Sequence, residues 1–335
     1  MSKVTIIAEA GVNYNGDIEI AKKMVKAAAA SGADFVKFQT GVPKLDVSVF
    51  AEKTEYQKEN TGDSAGKESQ LEMCSKLMLP FEVYPELVSC CEENHIRFLS
   101  SPFDPTCAAF LHELGMHIWK IPSGEITHFP MLKLIASYGE PIIMSTGMAT
   151  MDEIETTLNY LRENGAGEIT LLHCNSEYPT PYPDANIRAM FDLKKRFGLE
   201  VGYSDHTLGI EVPIAAVALG ATVIEKHFTL DRTMEGPDQV SSIEPDELKK
   251  LVTSIRHVEA ALGTGIKVPT ESERKNIHMV RKSIVANCVI RKGELLSENN
   301  LACKRPEGGI SPMEWDRIIG TAAKRDYAPD EMIEW

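Results

Sequence analysis

The 335-residue chain has no apolar run approaching the roughly 18 residues that span a bilayer. Its opening Met1-Ser2-Lys3 leads straight into "VTIIAEAG", without the layout of a signal peptide. A soluble, cytoplasmic protein is therefore expected. Basic residues are in deficit as well: 35 Lys and Arg against 49 Asp and Glu leave a formal net charge of −14. That balance argues against nucleic acid or a membrane surface as a partner, since both gain affinity from basic patches. An anionic substrate would need a local cluster of Lys and Arg. The cysteines (Cys74, Cys90, Cys91, Cys107, Cys174, Cys288 and Cys303) are odd in number and form no C-x-x-C pair. This argues against a disulfide framework and a structural zinc site and in favour of reduced, mostly buried thiols.

What the chain has in quantity is alternation. Short apolar, β-branched runs predict strands at Val4–Ala8, Phe35–Phe38, Arg97–Ser100, His117–Ile121, Ile142–Ser145, Ile169–His173, Val201–Tyr203 and Val223–Lys226. Between them lie segments of 3.6-residue periodicity, such as Ile18–Ala30 and Ile154–Glu163, often opened by Asp and closed by Gly. Eight β/α repeats predict an α/β fold of the (β/α)8 TIM-barrel type over residues 1–262. The polar stretch 41–80 after the second strand is an insertion that this pattern does not explain. Residues 263–280 ("GTGIKVPTESERKNIHMV") read as a linker, and 281–335 as a small turn-rich module near the lower size limit for independent folding.

Barrels of this kind build active sites where strands end. The strand ends supply Glu9; Lys37 and Gln39; Ser101 and Phe103; Lys120, Ser123 and Glu125; Ser145; Ser176 and Tyr178; Ser204 and His206; Glu225 and His227. A purely structural barrel would need few of these. "VGYSDHT" (201–207) has two readings: Ser204, Asp205 and Thr207 suit a helix N-cap, whereas His206 and His227, on neighbouring strands about 4.8 Å apart, suit one shared metal ion. With Glu9 across the barrel closure, the ligand set of nitrogen and oxygen leaves coordination positions open and fits Mn2+, Mg2+, Fe2+ or Co2+ as well as zinc. Lys37 ("FVKFQT") and Lys120 ("IWKIPSGE"), flanked by apolar residues, suit a phosphate or carboxylate rather than a solvated face.

The ordered motifs "IAEAGVNYNGD", "VKFQT", "SSPFD", "KIPSGE", "STGM", "LLHCNSEYPTPY", "GYSDHT", "IEKHFT", "GPD" and "KRPEGG" resemble the sialic acid synthase family of nonulosonate synthases. The last motif falls in a module resembling that family's antifreeze-like (SAF) domain. The resemblance implies metal-dependent condensation of phosphoenolpyruvate with an N-acetylated hexosamine, giving a nine-carbon 2-keto acid and phosphate by C–O cleavage. N-acetylmannosamine is the first expectation, making the chain an N-acetylneuraminate synthase. The alternative is N,N'-diacetyllegionaminate synthesis from 2,4-diacetamido-2,4,6-trideoxymannose.

It further implies a divalent cofactor, Mn2+ first with Mg2+ or Co2+ as alternatives, held by His206 and His227. Lys37, Gln39, Ser101, Phe103, Lys120 and Ser123 would hold phosphoenolpyruvate, with Ser145, Ser176 and Ser204 completing the polar lining. Glu125 would position the reacting carbon or the attacking water. Glu9 and Asp238 would lie near the metal and sugar, Tyr178 would contact the sugar, and Arg305 would reach the N-acetyl group from the SAF domain of the partner in a domain-swapped homodimer. Many members carry Asn where this chain has Ser176. Residues 55–73 resemble the neuraminate and legionaminate branches more than the pseudaminate branch. Two rivals from other classes are a Schiff-base aldolase at Lys120 or Lys37 and a non-enzymatic sugar- or ice-binding SAF protein.

Overall fold

The apolar runs form a closed eight-stranded parallel sheet in the computed structural model, which describes residues 3–63 and 65–335. Its strands are β1 (Thr5–Gly11), β2 (Phe35–Thr40), β3 (Arg97–Pro102), β4 (Trp119–Ile121), β5 (Ile142–Ser145), β6 (Ile169–His173), β7 (Glu200–Asp205) and β8 (Val223–His227). Hydrogen-bonded neighbours run β3-β2-β1-β8-β7-β6-β5-β4. The pairing of β1 with both β2 and β8 puts Glu9 level with Lys37 on one side and with His227 on the other.

Helix α1 (Ile18–Ser31) joins β1 to β2. The connection from β2 to β3 carries α2 (Pro43–Asp46), α3 (Glu55–Asn60) and α4 (Gln70–Leu77) ahead of α5 (Tyr84–Glu93). Then α6 (Pro105–Glu113), α7 (Phe129–Ser137), α8 (Met151–Glu163), α9 (Ala189–Phe197) and α10 (Glu211–Ala218) follow β3 to β7 in turn, and α11 (Pro245–Leu262) follows β8. The helices start where the sequence offers caps. Asp17 accepts from the Glu19 and Ile20 amides ahead of α1, and Thr150 and Glu153 form a reciprocal capping box ahead of α8.

Three expectations change. Strands β1, β2, β3 and β7 run two or three residues further than apolar composition suggests, because Glu9, Gln39, Ser101 and Asp205 find partners inside the sheet and need not end it. Strand β4 is shorter: it begins at Trp119 and leaves His117 outside. The expected cap ahead of α10 does not form. That helix starts at Glu211 behind Ile210 without a side-chain cap, and Asp205 instead pairs with Lys226 and Thr207.

The chain divides into one unit ending at Gly263 and another from Thr264 to Trp335. In the second, the stretch read as a linker is partly helical: α12 (Glu271–Val280) opens on a Thr270–Glu273 capping box. Strands β9 (Ser283–Ala286) and β10 (Leu301–Lys304) pair antiparallel, α13 (Trp315–Ile318) follows, and a small core forms around Ile284, Ile290, Leu301, Ile318, Tyr327 and Ile333. No helix among the described residues is long and apolar enough to cross a membrane.

Candidate active site

Four charged side chains occupy the barrel interior. Lys37 Nζ lies 2.9 Å from Glu9 Oε2 and 3.8 Å from Glu225 Oε2, and Lys120 Nζ lies 3.7 Å from Glu225 Oε1. Hydroxyls complete the network: Lys37 donates to Ser101 at 3.2 Å, Lys120 to Ser145 at 2.7 Å, and Ser204 to Glu225 at 3.0 Å. All are buried. Charges there are costly unless paired, and their proton affinities reflect that tension. Burial raises the Glu9 carboxyl to about 7 against the pull of Lys37. Burial would raise Glu225 too, but Lys120 and Lys37 prevail and hold it low. For Lys37, burial pushes the amine down, yet Glu225 and Glu9 outweigh it and the pKa is raised. Burial wins at Lys120, whose pKa is lowered in spite of Glu225.

Above this floor stand His206 and His227, with ring centroids 5.4 Å apart, and Tyr178 packs against both at 4.1 and 5.4 Å. His206 uses Nδ1 on the Asn175 carbonyl, which leaves Nε2 available. Burial drives His206 down to about 4, and burial together with His206 drives His227 well below the usual range, so both rings are neutral at pH 7. His227 Nδ1 is buried without a hydrogen-bond partner and lies 3.9 Å from Asp238 Oδ2. Two neutral imidazoles, one orphaned ring nitrogen and the carboxylates of Glu9 and Asp238 nearby fit a divalent cation. Gly11 supports this pair through its backbone: at φ 54° it takes the left-handed conformation that side chains disfavour, while a Cβ there would only make ordinary contact with His227 Cε1 at 3.4 Å and Glu9 Oε1 at 3.5 Å.

The mouth is a cavity of about 320 Å³ bordered by these residues and by Gln39, Phe103, Ser123 and Ser176. Ser123 Oγ accepts from the Gly147 amide at 2.9 Å and lies 3.1 Å from Cys174 Sγ. A Cβ on Gly147 would come within 2.4 Å of Ser176 Oγ, so "STGM" needs a glycine for the serines to converge. Glu125 sits in the turn after β4 with its carboxylate 2.7 Å from His128 Nδ1. Burial raises it, partly offset by that imidazole. Burial likewise lifts Asp238 to about 6. The polar insertion after β2 is the outer wall: Tyr56 stacks on Tyr178 at 5.1 Å, while Met73, Leu77 and Met78 give it an apolar face.

Fourteen of the sixteen residues given a role in the sequence line this cavity. Glu125 is set back from it beside His128, and Arg305 lies in the second unit, exposed, just after β10. Asn175 turns away to bind Glu177 and Thr180, leaving Ser176 at the cavity. Glu225 was visible as a strand-end group but without a role; only the side-chain distances show it between two lysines. Tyr56 had no signal beyond lying in an unexplained insertion. The two lysines differ: burial at Lys120 outweighs its single close carboxylate and lowers its pKa, whereas two carboxylates raise that of Lys37. Among the described residues, one trio brings three ligand atoms within 4.8 Å of one another: His112, His117 and Glu140, at the opposite end of the barrel.

Residues 24–267 match the NeuB family, and residues 281–335 match the SAF domain. The chain belongs to the NeuB family. It is therefore a phosphoenolpyruvate-dependent nonulosonate synthase, a transferase. It is 53% identical to N,N'-diacetyllegionaminic acid synthase of Campylobacter jejuni, over 99% of each chain. The enzyme of the same name from Legionella pneumophila is 44% identical, over 98% of this chain and 93% of that one. A crystal structure of N-acetylneuraminic acid (sialic acid) synthetase from Leptospira borgpetersenii superposes with a TM-score of 0.71 at 36% identity, covering 82% of this chain and 90% of that one. Membership makes phosphoenolpyruvate and an acetamido sugar the substrates of this NeuB protein.

Proposed function

We propose that the chain is an N,N'-diacetyllegionaminic acid synthase, condensing phosphoenolpyruvate with 2,4-diacetamido-2,4,6-trideoxymannose. The observation that carries this is the 53% identity, end to end, with the Campylobacter jejuni enzyme of that name. It moves the expectation away from N-acetylmannosamine. The apolar wall of Met73, Leu77 and Met78 supports the same choice, since a 6-deoxy sugar with a second acetamido group presents methyls where N-acetylmannosamine presents hydroxyls that need partners.

In this reading His206 and His227 hold a divalent cation, Mn2+ first, with Glu9 and Asp238 beside it. Bound there, the ion supplies Lewis-acid polarisation of the sugar aldehyde. Lys37 and Lys120, with Ser101, Ser123, Ser145 and Ser176, bind the phosphate and carboxylate of phosphoenolpyruvate, and Gln39 and Phe103 bound the same end. Glu225, held by Ser204, keeps the two ammonium groups apart and aligned. The enol carbon bonds to the aldehyde carbon, and water, oriented by Glu125, adds at the oxocarbenium-like C2. The C–O bond then breaks, releasing phosphate and leaving the 2-keto group. The lysine cluster stabilises charge on the phosphate as this happens. Tyr178 packs against the sugar.

A homodimer in which the partner supplies Arg305 completes the reading. Met148 at the mouth, and Leu45 and Phe50 on the segment that carries the lining residues Asp46 and Thr54, are 76%, 60% and 90% exposed and suit cover by a second copy. The lowered pKa of Lys120 is the one observation favouring a Schiff-base aldolase. Borohydride reduction in the presence of the keto-acid product separates the two: no lysine is labelled in the metal-dependent condensation. Phosphate release from phosphoenolpyruvate with the diacetamido sugar should stop on chelation and return with Mn2+. Release that continues unchanged after chelation refutes the proposal.

A further inference from the structure

The trio His112, His117 and Glu140 lies at the N-terminal ends of the barrel strands, away from the centre above. His112 is on the last turn of α6, His117 precedes β4 by two residues, and Glu140 precedes β5 by two. His117 Nδ1 is 2.5 Å and His112 Nδ1 3.6 Å from the same oxygen, Glu140 Oε1, and the ligand atoms of all three lie within 4.8 Å of one another. Two further features resemble the support that surrounds metal ligands. The indole of Trp119 donates to Glu140 Oε2 at 2.8 Å, so that the other oxygen faces the imidazoles. The His112 ring is clamped face to face on Tyr138, with centroids 3.8 Å apart and an interplanar angle of 10°. Its Nδ1 is nonetheless buried with no hydrogen-bond partner, an atom aimed into the cluster with nothing to bind.

We propose that His112, His117 and Glu140 form a second metal site, for a borderline divalent transition ion of the Zn2+ or Co2+ class. Two imidazoles and one carboxylate are a donor set these ions accept, with water in the remaining position. The side chain of His117 is 67% exposed, which gives both an entry path and room for that water. Three protein ligands with the outer position open to solvent, none of them lining the active-site cavity, make this a clamp rather than a catalytic centre. It joins the end of α6 to the starts of β4 and β5, where β4 is only three residues long.

The test is Co2+ titration of the full chain by equilibrium dialysis, with visible absorption as a second readout, comparing wild type with His117→Ala and Glu140→Gln. His117 is largely exposed and Glu140→Gln can still accept from Trp119, so neither change should unfold the chain. Wild type should bind one more ion per chain than His117→Ala. Glu140→Gln should bind at that site at least about tenfold more weakly. Zn2+ should raise the melting temperature of wild type more than that of His117→Ala. Equal stoichiometry and equal spectra in wild type and His117→Ala would overturn the second site. Because His206 and His227 are intact in both chains, failure of the proposed catalytic metal would lower both counts alike and leave the difference readable.

Discussion

His206 and His227 are poor bases because they are buried, and this has a measurable consequence for stability. The pKa of His206 falls from 6.5 to about 4 on folding, so between those values the unfolded chain binds a proton that the folded chain refuses. Stability is complete above pH 6.5 and is lost as the pH falls towards 4, by roughly 2–3 kcal/mol from this residue between pH 7 and 4.5. Urea unfolding at the two pH values should show a smaller drop in His206→Asn than in wild type. Glu9 acts in the opposite sense: its pKa is raised from 4.5 to about 7, so its share of stability is lost as the pH rises through that window. His227→Ala should reduce Mn2+-dependent phosphate release by about 10³-fold or more, with the far-ultraviolet circular dichroism unchanged.

At the scale of elements, the metal candidates depend on how β7 and β8 are tied together. Lys226 and Asp205 are level in register and fully buried, with Nζ 2.6 Å from Oδ2. Lys226 also donates to the Thr207 carbonyl, and Thr207 donates back to Asp205 at 2.9 Å. Each residue flanking His206 is thus fastened to the residue preceding His227. Lys226→Met strands a buried carboxylate and should cost about 3–5 kcal/mol in urea unfolding, and Asp205→Leu in the same chain should recover much of it.

This tie also marks where the sequence was legible. The order of strands and helices made it plain that Glu9, Lys37, His206 and His227 gather at one end of a barrel, because each lies at or near the C-terminal end of its strand. It could not say that Asp205 is spent on a neighbouring strand rather than on a helix cap, since both uses place a carboxylate just after an apolar run. The insertion after β2 was opaque for another reason: α2, α3 and α4 are too short for a periodic signal, so the contributions of Tyr56 and Met73 to the cavity emerge only from tertiary contacts. The helix at Glu271–Val280 was hidden by its polar composition, none of its residues being buried.

For the whole molecule, the proposed assembly is the part furthest from a single chain. If Arg305 reaches its partner's substrate, Arg305→Ala should raise the KM for the sugar while leaving that for phosphoenolpyruvate near its wild-type value. Mixing Arg305→Ala with His227→Ala subunits should then restore activity, because one of the two mouths in a mixed dimer has both an intact histidine pair and an intact arginine. An arginine acting within its own chain would give no such rescue. The SAF unit has its own small core, so these variants should leave it folded.

The central claim is the choice of sugar, and the most direct measurement is kcat/KM for 2,4-diacetamido-2,4,6-trideoxymannose against N-acetylmannosamine, followed by phosphate release at saturating phosphoenolpyruvate and Mn2+. A cavity wall built from Met73, Leu77 and Met78 predicts a ratio of about 10 to 10² or more in favour of the diacetamido sugar. A ratio of one, or one that favours N-acetylmannosamine, would contradict it.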